Sequence, residues 1–215
     1  MKKNTEMRRP VTLTDGRGAR LPRSERRRQL LDAAQEVFVA RGYHATAMDD
    51  IAERAGVSKP VLYQHFPGKL ELYLALLDTH GAALVETVRT AMKSTNDNKT
   101  RVHLAMQAYF DFVDARGEAF RLVFESDLRN DPAVAERVDR VERDCGQAIA
   151  ETIMADTGVG RERADLLAIG LTGAAEMAAR RWLASKRAVP KAEAVDLLMT
   201  LAWRGISRFP LQEPM

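Results

Sequence analysis

The chain has 215 residues, of which 46% are apolar and 29% charged, with 8 Pro and 13 Gly; this describes one large or two small globular domains and excludes long low-complexity linkers. The single cysteine, Cys145, excludes an intramolecular disulfide framework and fits a reducing compartment, and no run approaches the ~18 apolar residues of a membrane span, so a cytoplasmic protein without membrane contact is expected. The net charge of +3 conceals a polarity: residues 1–28 hold ten Lys or Arg against Glu6, Asp15 and Glu25, a surplus of seven, and the remainder is negative by four.

Residues 1–22 lack periodicity and include Thr12, Asp15, Gly16, Gly18 and Pro22. They read as a basic arm, either a minor-groove contact or a solvated tail. Ser24 is placed to cap a first helix running to about Arg41, with Leu30, Ala34, Val37 and Phe38 inward and Gly42 as its stop. Thr46 reads as the next N-cap, with Asp49 in the reciprocal position. Ile51, Ala52 and Ala55 follow at helical spacing, and Gly56 stands where a helix end takes positive φ. Ser58 caps a third helix, Pro60 falls in its first turn, and Val61, Leu62 and Phe66 form its apolar side. Two short helices about a tight glycine turn make a helix-turn-helix.

The polar side of that third helix carries Ser58, Lys59, Tyr63, Gln64 and His65, with Thr46 and Lys69 beside it. Hydroxyl, cationic and amide groups of this kind bond phosphates and base edges. The bland alternative is a solvated face of an ordinary bundle, which the length of the motif disfavours.

The run Phe38…Arg41-Gly42-Tyr43…Thr46…Ile51-Ala52…Ala55-Gly56-Val57-Ser58…Leu62-Tyr63…His65-Phe66…Lys69…Leu72 resembles the N-terminal domain of TetR-family transcriptional regulators over about residues 26–72. Pro60 departs from the residues many members carry there. The resemblance implies a DNA-binding domain at 23–67 and a ligand-binding and dimerisation domain at 68–215.

A helix over about 68–93 follows, with Leu70, Leu74, Leu77, Gly81, Leu84, Val88 and Met92 inward. At ~1.5 Å per residue it is about 38 Å long, enough to reach from the head into a second domain. Further helices are expected at about 100–116, around Phe120–Phe124, and at 133–156, 161–186 and 190–208, nine in an all-α chain without internal repeat. Cys145 is in line with Val134, Val138, Val141 and Ile149 and reads as core.

The last two long helices are rich in small and apolar residues: Gly170, Gly173, Ala174 and Ala178, then Val195, Leu198, Leu201 and Ala202. They form either an interface with a second copy or internal core; the resemblance favours a homodimer. Met106, Tyr109, Phe110, Val113, Phe120 and Phe124, with Leu77, Val141 and Met177, either line an apolar cavity or fill a solid core. The segment from Tyr109 to Asp131 looks like regulators of fatty-acid synthesis within the family, which implies a long-chain acyl-CoA or fatty-acid effector. The rival readings are a TetR-type repressor of a drug-efflux pump and a helical acyl-CoA-binding module without DNA function.

The four histidines (44, 65, 80, 103) have no paired metal-ligand spacing. Gly16 and Gly18 follow no strand, and no Gly-x-Ser-x-Gly turn occurs. Neither an enzyme nor a cofactor or metal site is expected. The sequence reads as a ligand-responsive regulator whose two heads enter successive major grooves of a palindromic operator. Thr46, Ser58, Tyr63, His65 and Lys69 would hold phosphates, while Lys59, Pro60 and Gln64 lie nearest the base edges.

Overall fold

The computed structural model describes residues 21–115, 128 and 130–206, without the side chains of 205 and 206. Most of the basic arm, the helix expected around Phe120 and Phe124, and the chain end after 206 lie outside them. Among the described residues the chain is all-α, with eight helices and no strand. They are α1 (Arg23–Ala45), α2 (Met48–Arg54), α3 (Lys59–His65), α4 (Lys69–Lys93), α5 (Asn98–Ala115), α6 (Pro132–Thr157), α7 (Arg161–Ala184) and α8 (Lys191–Ile206).

The glycine signals act where the sequence places them. Gly42 leaves the helical region inside α1 (φ 77°, ψ 165°), and Gly56 takes φ 65° after α2, a conformation that costs glycine little. The caps differ. Pro22, not Ser24, stands before α1. Ala47, not Thr46, precedes α2, and its N–H donates to Asp50 Oδ2 at 3.0 Å. Thr46 instead turns inward, 2% exposed, and its hydroxyl donates to Gly42 O at 2.7 Å. The hydroxyl is drawn to the carbonyl freed by the Gly42 break, and Asp50 serves the next helix in its place. Ser58 occupies the N-cap position of α3 without a side-chain bond.

Leu30, Phe38, Ile51, Leu62 and Phe66 are buried together and pack α1–α3 against Leu72 and Tyr73 at the start of α4. Phe38, Tyr43 and Tyr73 form an aromatic cluster with centroids 5.2–5.7 Å apart. Further along α4, the buried His80 Nε2 lies 2.9 Å from Gln35 Oε1 of α1. The head is therefore fastened to α4 at two levels.

Beyond the head, α4 packs on α5 and α6. It meets α6 closely at Gly81, where a Cβ would overlap Val141 Cγ2. α6 begins at Asp131, whose carboxylate accepts from the N–H groups of Ala133 (2.9 Å) and Val134 (3.3 Å), and ends at Gly158 in the left-handed region. α7 packs on α5 and α6, and α8 mainly on α5. The α7–α8 loop, with Lys186 and Arg187 at positive φ, is clamped to the end of α5. Arg187 Nε donates to Asp114 Oδ1 (2.9 Å), and Lys191 Nζ to Asp111 Oδ1 (2.8 Å) and Asp114 Oδ2 (2.9 Å). Trp182 Nε1 donates to Val189 O at 2.7 Å, and its ring packs on Phe110.

Candidate DNA interface and effector cavity

Ser58, Lys59, Pro60, Tyr63 and Gln64 are all exposed on α3, and His65 is half-buried. The inner side of α3 is held by Leu62, so these groups share the outer one. Lys59 is engaged by Asp49 of α2, Nζ to Oδ1 at 2.8 Å, and that carboxylate holds the ammonium above its usual pKa. Both side chains remain more than half exposed, so the pair is loose enough to open toward a base or phosphate. The His65 ring is held below its usual pKa by burial first, then by Arg23, Arg27 and Arg26 of α1.

Two of the expected phosphate contacts are spoken for inside the head. Thr46 is buried, as described. Lys69 Nζ donates to the carbonyls of Tyr43 (2.9 Å), Thr46 (2.8 Å) and His44 (3.4 Å) and lies 4.4 Å above the Tyr43 ring. Carbonyls gathered at the end of α1, of which Tyr43 O also accepts from the Thr46 N–H at 3.3 Å, draw this cation in. Arg27, unassigned by sequence reasoning, stacks on Phe66 at 4.3 Å and reaches His65 O at 3.4 Å, bracing the end of α3. Its place in the basic block Arg26-Arg27-Arg28 signalled charge but not this role.

In the larger part of the chain a cavity of about 570 Å³ lies among α5, α6, α7 and α8. Met92, Val102, Ala105, Met106, Tyr109, Ile149, Ile153, Leu167 and Leu171 make its apolar walls, and Trp203 stands on the α8 side. One end is polar, with Asn98, Arg101, Asp156 and Thr157. Arg101 is tied there by Nη1 to Asp156 Oδ2 (2.6 Å) and to Asn98 Oδ1 (2.7 Å), and by Nε to Thr95 O (2.6 Å). Tyr109 hydrogen-bonds Cys145 beneath the wall, and burial pushes the thiol up to about 11. Cys145 is accordingly a neutral core residue.

The residues read as either cavity wall or solid core divide between the two. Met106 and Tyr109 line it. Leu77, Phe110, Val113 and Val141 are buried in solid core instead: α4 and α6 meet tightly where Gly81 faces Val141, and on α5 the Phe110 ring packs on Trp182. Met177 is 59% exposed on the outer face of α7. Phe120 and Phe124 lie outside the described residues. Of the residues assigned to a dimer interface, Gly170, Ala174, Leu198, Leu201 and Ala202 line the cavity. Val195 points inward at 3% exposure and Ala178 is half-buried against the core, while a Cβ at Gly173 would meet nothing within 4 Å.

The model of bacterial regulatory proteins of the tetR family matches residues 30–76, and that of the tetracyclin repressor-like C-terminal domain matches residues 98–205. The chain belongs to the TetR family. The HTH-type transcriptional activator FasR of Mycolicibacterium smegmatis is 49% identical over 195 residues, 91% of this chain and 89% of that protein. A TetR-like transcriptional regulator from Rhodococcus sp. RHA1 is 31% identical at a TM-score of 0.67, covering 88% of this chain and 100% of that one. The regulator FadR from Bacillus subtilis, solved in complex with stearoyl-CoA, shares the fold at a TM-score of 0.69 and 17% identity, over 81% of this chain and 96% of that one. This TetR-family chain is thus a DNA-binding transcriptional regulator, and the module without DNA function is set aside. No helix among the described residues is long and apolar enough to cross a membrane.

Proposed function

We propose that the protein is a cytoplasmic homodimer that binds a palindromic operator through α3 and releases it when a long-chain acyl-CoA fills the cavity. Its regulated genes then belong to fatty-acid metabolism. The observation that carries this reading is the cavity itself, an apolar chamber with one polar end. Its volume of about 570 Å³ falls within the span of ligand pockets. The stearoyl-CoA held by the FadR relative, whose fold this chain shares, supports the same class of ligand. An efflux-type cationic drug fits less well, because the one carboxylate at the polar end, Asp156, already faces Arg101.

Lys59, Pro60 and Gln64 sit nearest the bases, and Ser58, Tyr63 and His65 hold phosphates. Lys69 acts on DNA indirectly, by fixing the α1–α2 junction. A ligand that wedges α5 and α6 apart shifts α4, and the head moves with α4 because Tyr73, Lys69 and His80 fasten them. The ligand must prefer one head spacing over the other for this to work.

Calorimetry with acyl-CoAs from C8 to C20, alongside gel shifts on the DNA flanking its gene, tests the reading. Affinity should climb by about 0.8 kcal/mol per added methylene until the cavity is full. Flat, millimolar binding across the series would refute the acyl effector.

A further inference from the structure

The cavity is not closed by its own chain. Leu166 of α7 and Leu201 of α8 line it yet are 72% and 70% exposed, so its mouth opens between these two helices. On the same outer face α7 carries Ile169 and Met177, 60% and 59% exposed. Met177 does not line its own chain's cavity.

This face of α7 has the same chemical pattern read in either direction. About the midpoint between Leu171 and Thr172, Leu166 mirrors Met177, Ile169 mirrors Ala174, Gly170 mirrors Gly173, and Glu162 mirrors Arg181. These positions recur at steps of three and four residues and share one stripe. In a two-fold contact, residue i meets residue j and j meets i. Two antiparallel copies of α7 crossing at that midpoint therefore set apolar against apolar, glycine against glycine, and acid against base at both ends. Cβ atoms at Gly170 and Gly173 would meet nothing within 4 Å in the single chain, which leaves room for another helix to come close.

We propose that a second copy of this chain completes the effector cavity, with the partner's Met177 seated on Leu166 across its mouth. Each protomer then supplies one wall of the other's site. Effector binding and self-association are linked as a result, since the closed cavity exists only in the dimer. This rests on the acyl-effector reading above. It also gives Met177 a place at an effector site, across the interface rather than within its own chain.

Mixed dimers, isolated through two different affinity tags, test this. In one protomer Ala105→Trp fills the cavity, so that only the other protomer's cavity is open; Thr152→Trp is the second filling variant should the first not fold. Met177→Gln is placed either on the filled protomer or on the open one. Both dimers carry a single copy of the substitution in the same symmetric interface, so any weakening of association is common to both. Stearoyl-CoA binding is read by calorimetry. With the substitution on the filled protomer, across from the open cavity, affinity should fall about tenfold, as loss of one buried apolar contact predicts. With it on the open protomer, affinity should be unchanged. Equal affinities, or the reverse pattern, overturn the shared wall and leave the acyl reading standing. No stearoyl-CoA binding to the unsubstituted dimer overturns the acyl reading and the shared wall with it. A chain that forms no mixed dimer also overturns the shared wall.

Discussion

Replacing Gly81 with alanine tests the close approach of α4 and α6. The added methyl would overlap Val141 Cγ2, with Cβ at 3.6 Å and Cγ1 at 3.8 Å. Valine in a helix holds one χ1 rotamer strongly, so its methyl cannot swing away cheaply. Overpacking of this kind costs about 1–3 kcal/mol. Alanine recovers roughly 1 kcal/mol of helix propensity, which leaves a net loss of about 1 kcal/mol. Val141→Ala removes the obstructing methyls, so the double variant should be about 1–2 kcal/mol more stable than the sum of the singles. Urea denaturation of the four proteins gives the cycle. Additivity within ~0.5 kcal/mol, or a Gly81→Ala variant more stable than the parent, would refute the tight crossing. Operator affinity adds a second readout, since prying α4 from α6 moves the element that carries the head.

Lys69→Met should destabilise the head by about 1–3 kcal/mol, because three carbonyls lose a charged donor; a variant with unchanged melting and only weaker DNA binding would return Lys69 to the phosphate contacts. Lys59→Ala and Gln64→Ala should each relax base preference by about 1–3 kcal/mol in binding-site selection, while Asp49→Ala, which frees Lys59, should leave the selected sequence unchanged; a sequence altered by Asp49→Ala alone would mean that the ion pair itself is read. His65 is held below its usual pKa in the free protein, so its contribution to stability is complete above about 6.5 and declines as pH falls below that value. Phosphates favour the charged ring, so DNA binding takes up a proton and affinity should rise as pH falls from about 7.5 to 5.5. The same pH dependence in His65→Gln would remove His65 from the interface.

The head was legible because its signals are local. Gly42 and Gly56 announce their backbone conformations, and Leu30, Phe38, Ile51 and Leu62 keep helical spacing whatever they pack against. The error at Thr46 came from competition. Two adjacent carboxylates, Asp49 and Asp50, could each serve a cap, and only the fold shows that Gly42 O claims the Thr46 hydroxyl. Lys69 displays its charge in the sequence but not the carbonyls that face it. Which apolar residues face the cavity and which fill core was not legible for a related reason. Apolar spacing marks what is inward, not where inward space stays empty, and Leu77 and Val141 are as apolar as Met106. On α7 one run of small and apolar residues serves both the cavity and the outer face, which spacing alone could not divide.

The chain's two tryptophans are sorted by the clamp at the end of α5. Trp182 is fixed there, its indole N–H given to a carbonyl, whereas Trp203 stands on the cavity wall. Intrinsic fluorescence therefore contains its own reference. Filling the cavity should alter the emission of one indole and leave the other as a constant background. An effector can thus be titrated in unlabelled protein, with Trp203→Phe as the silent control.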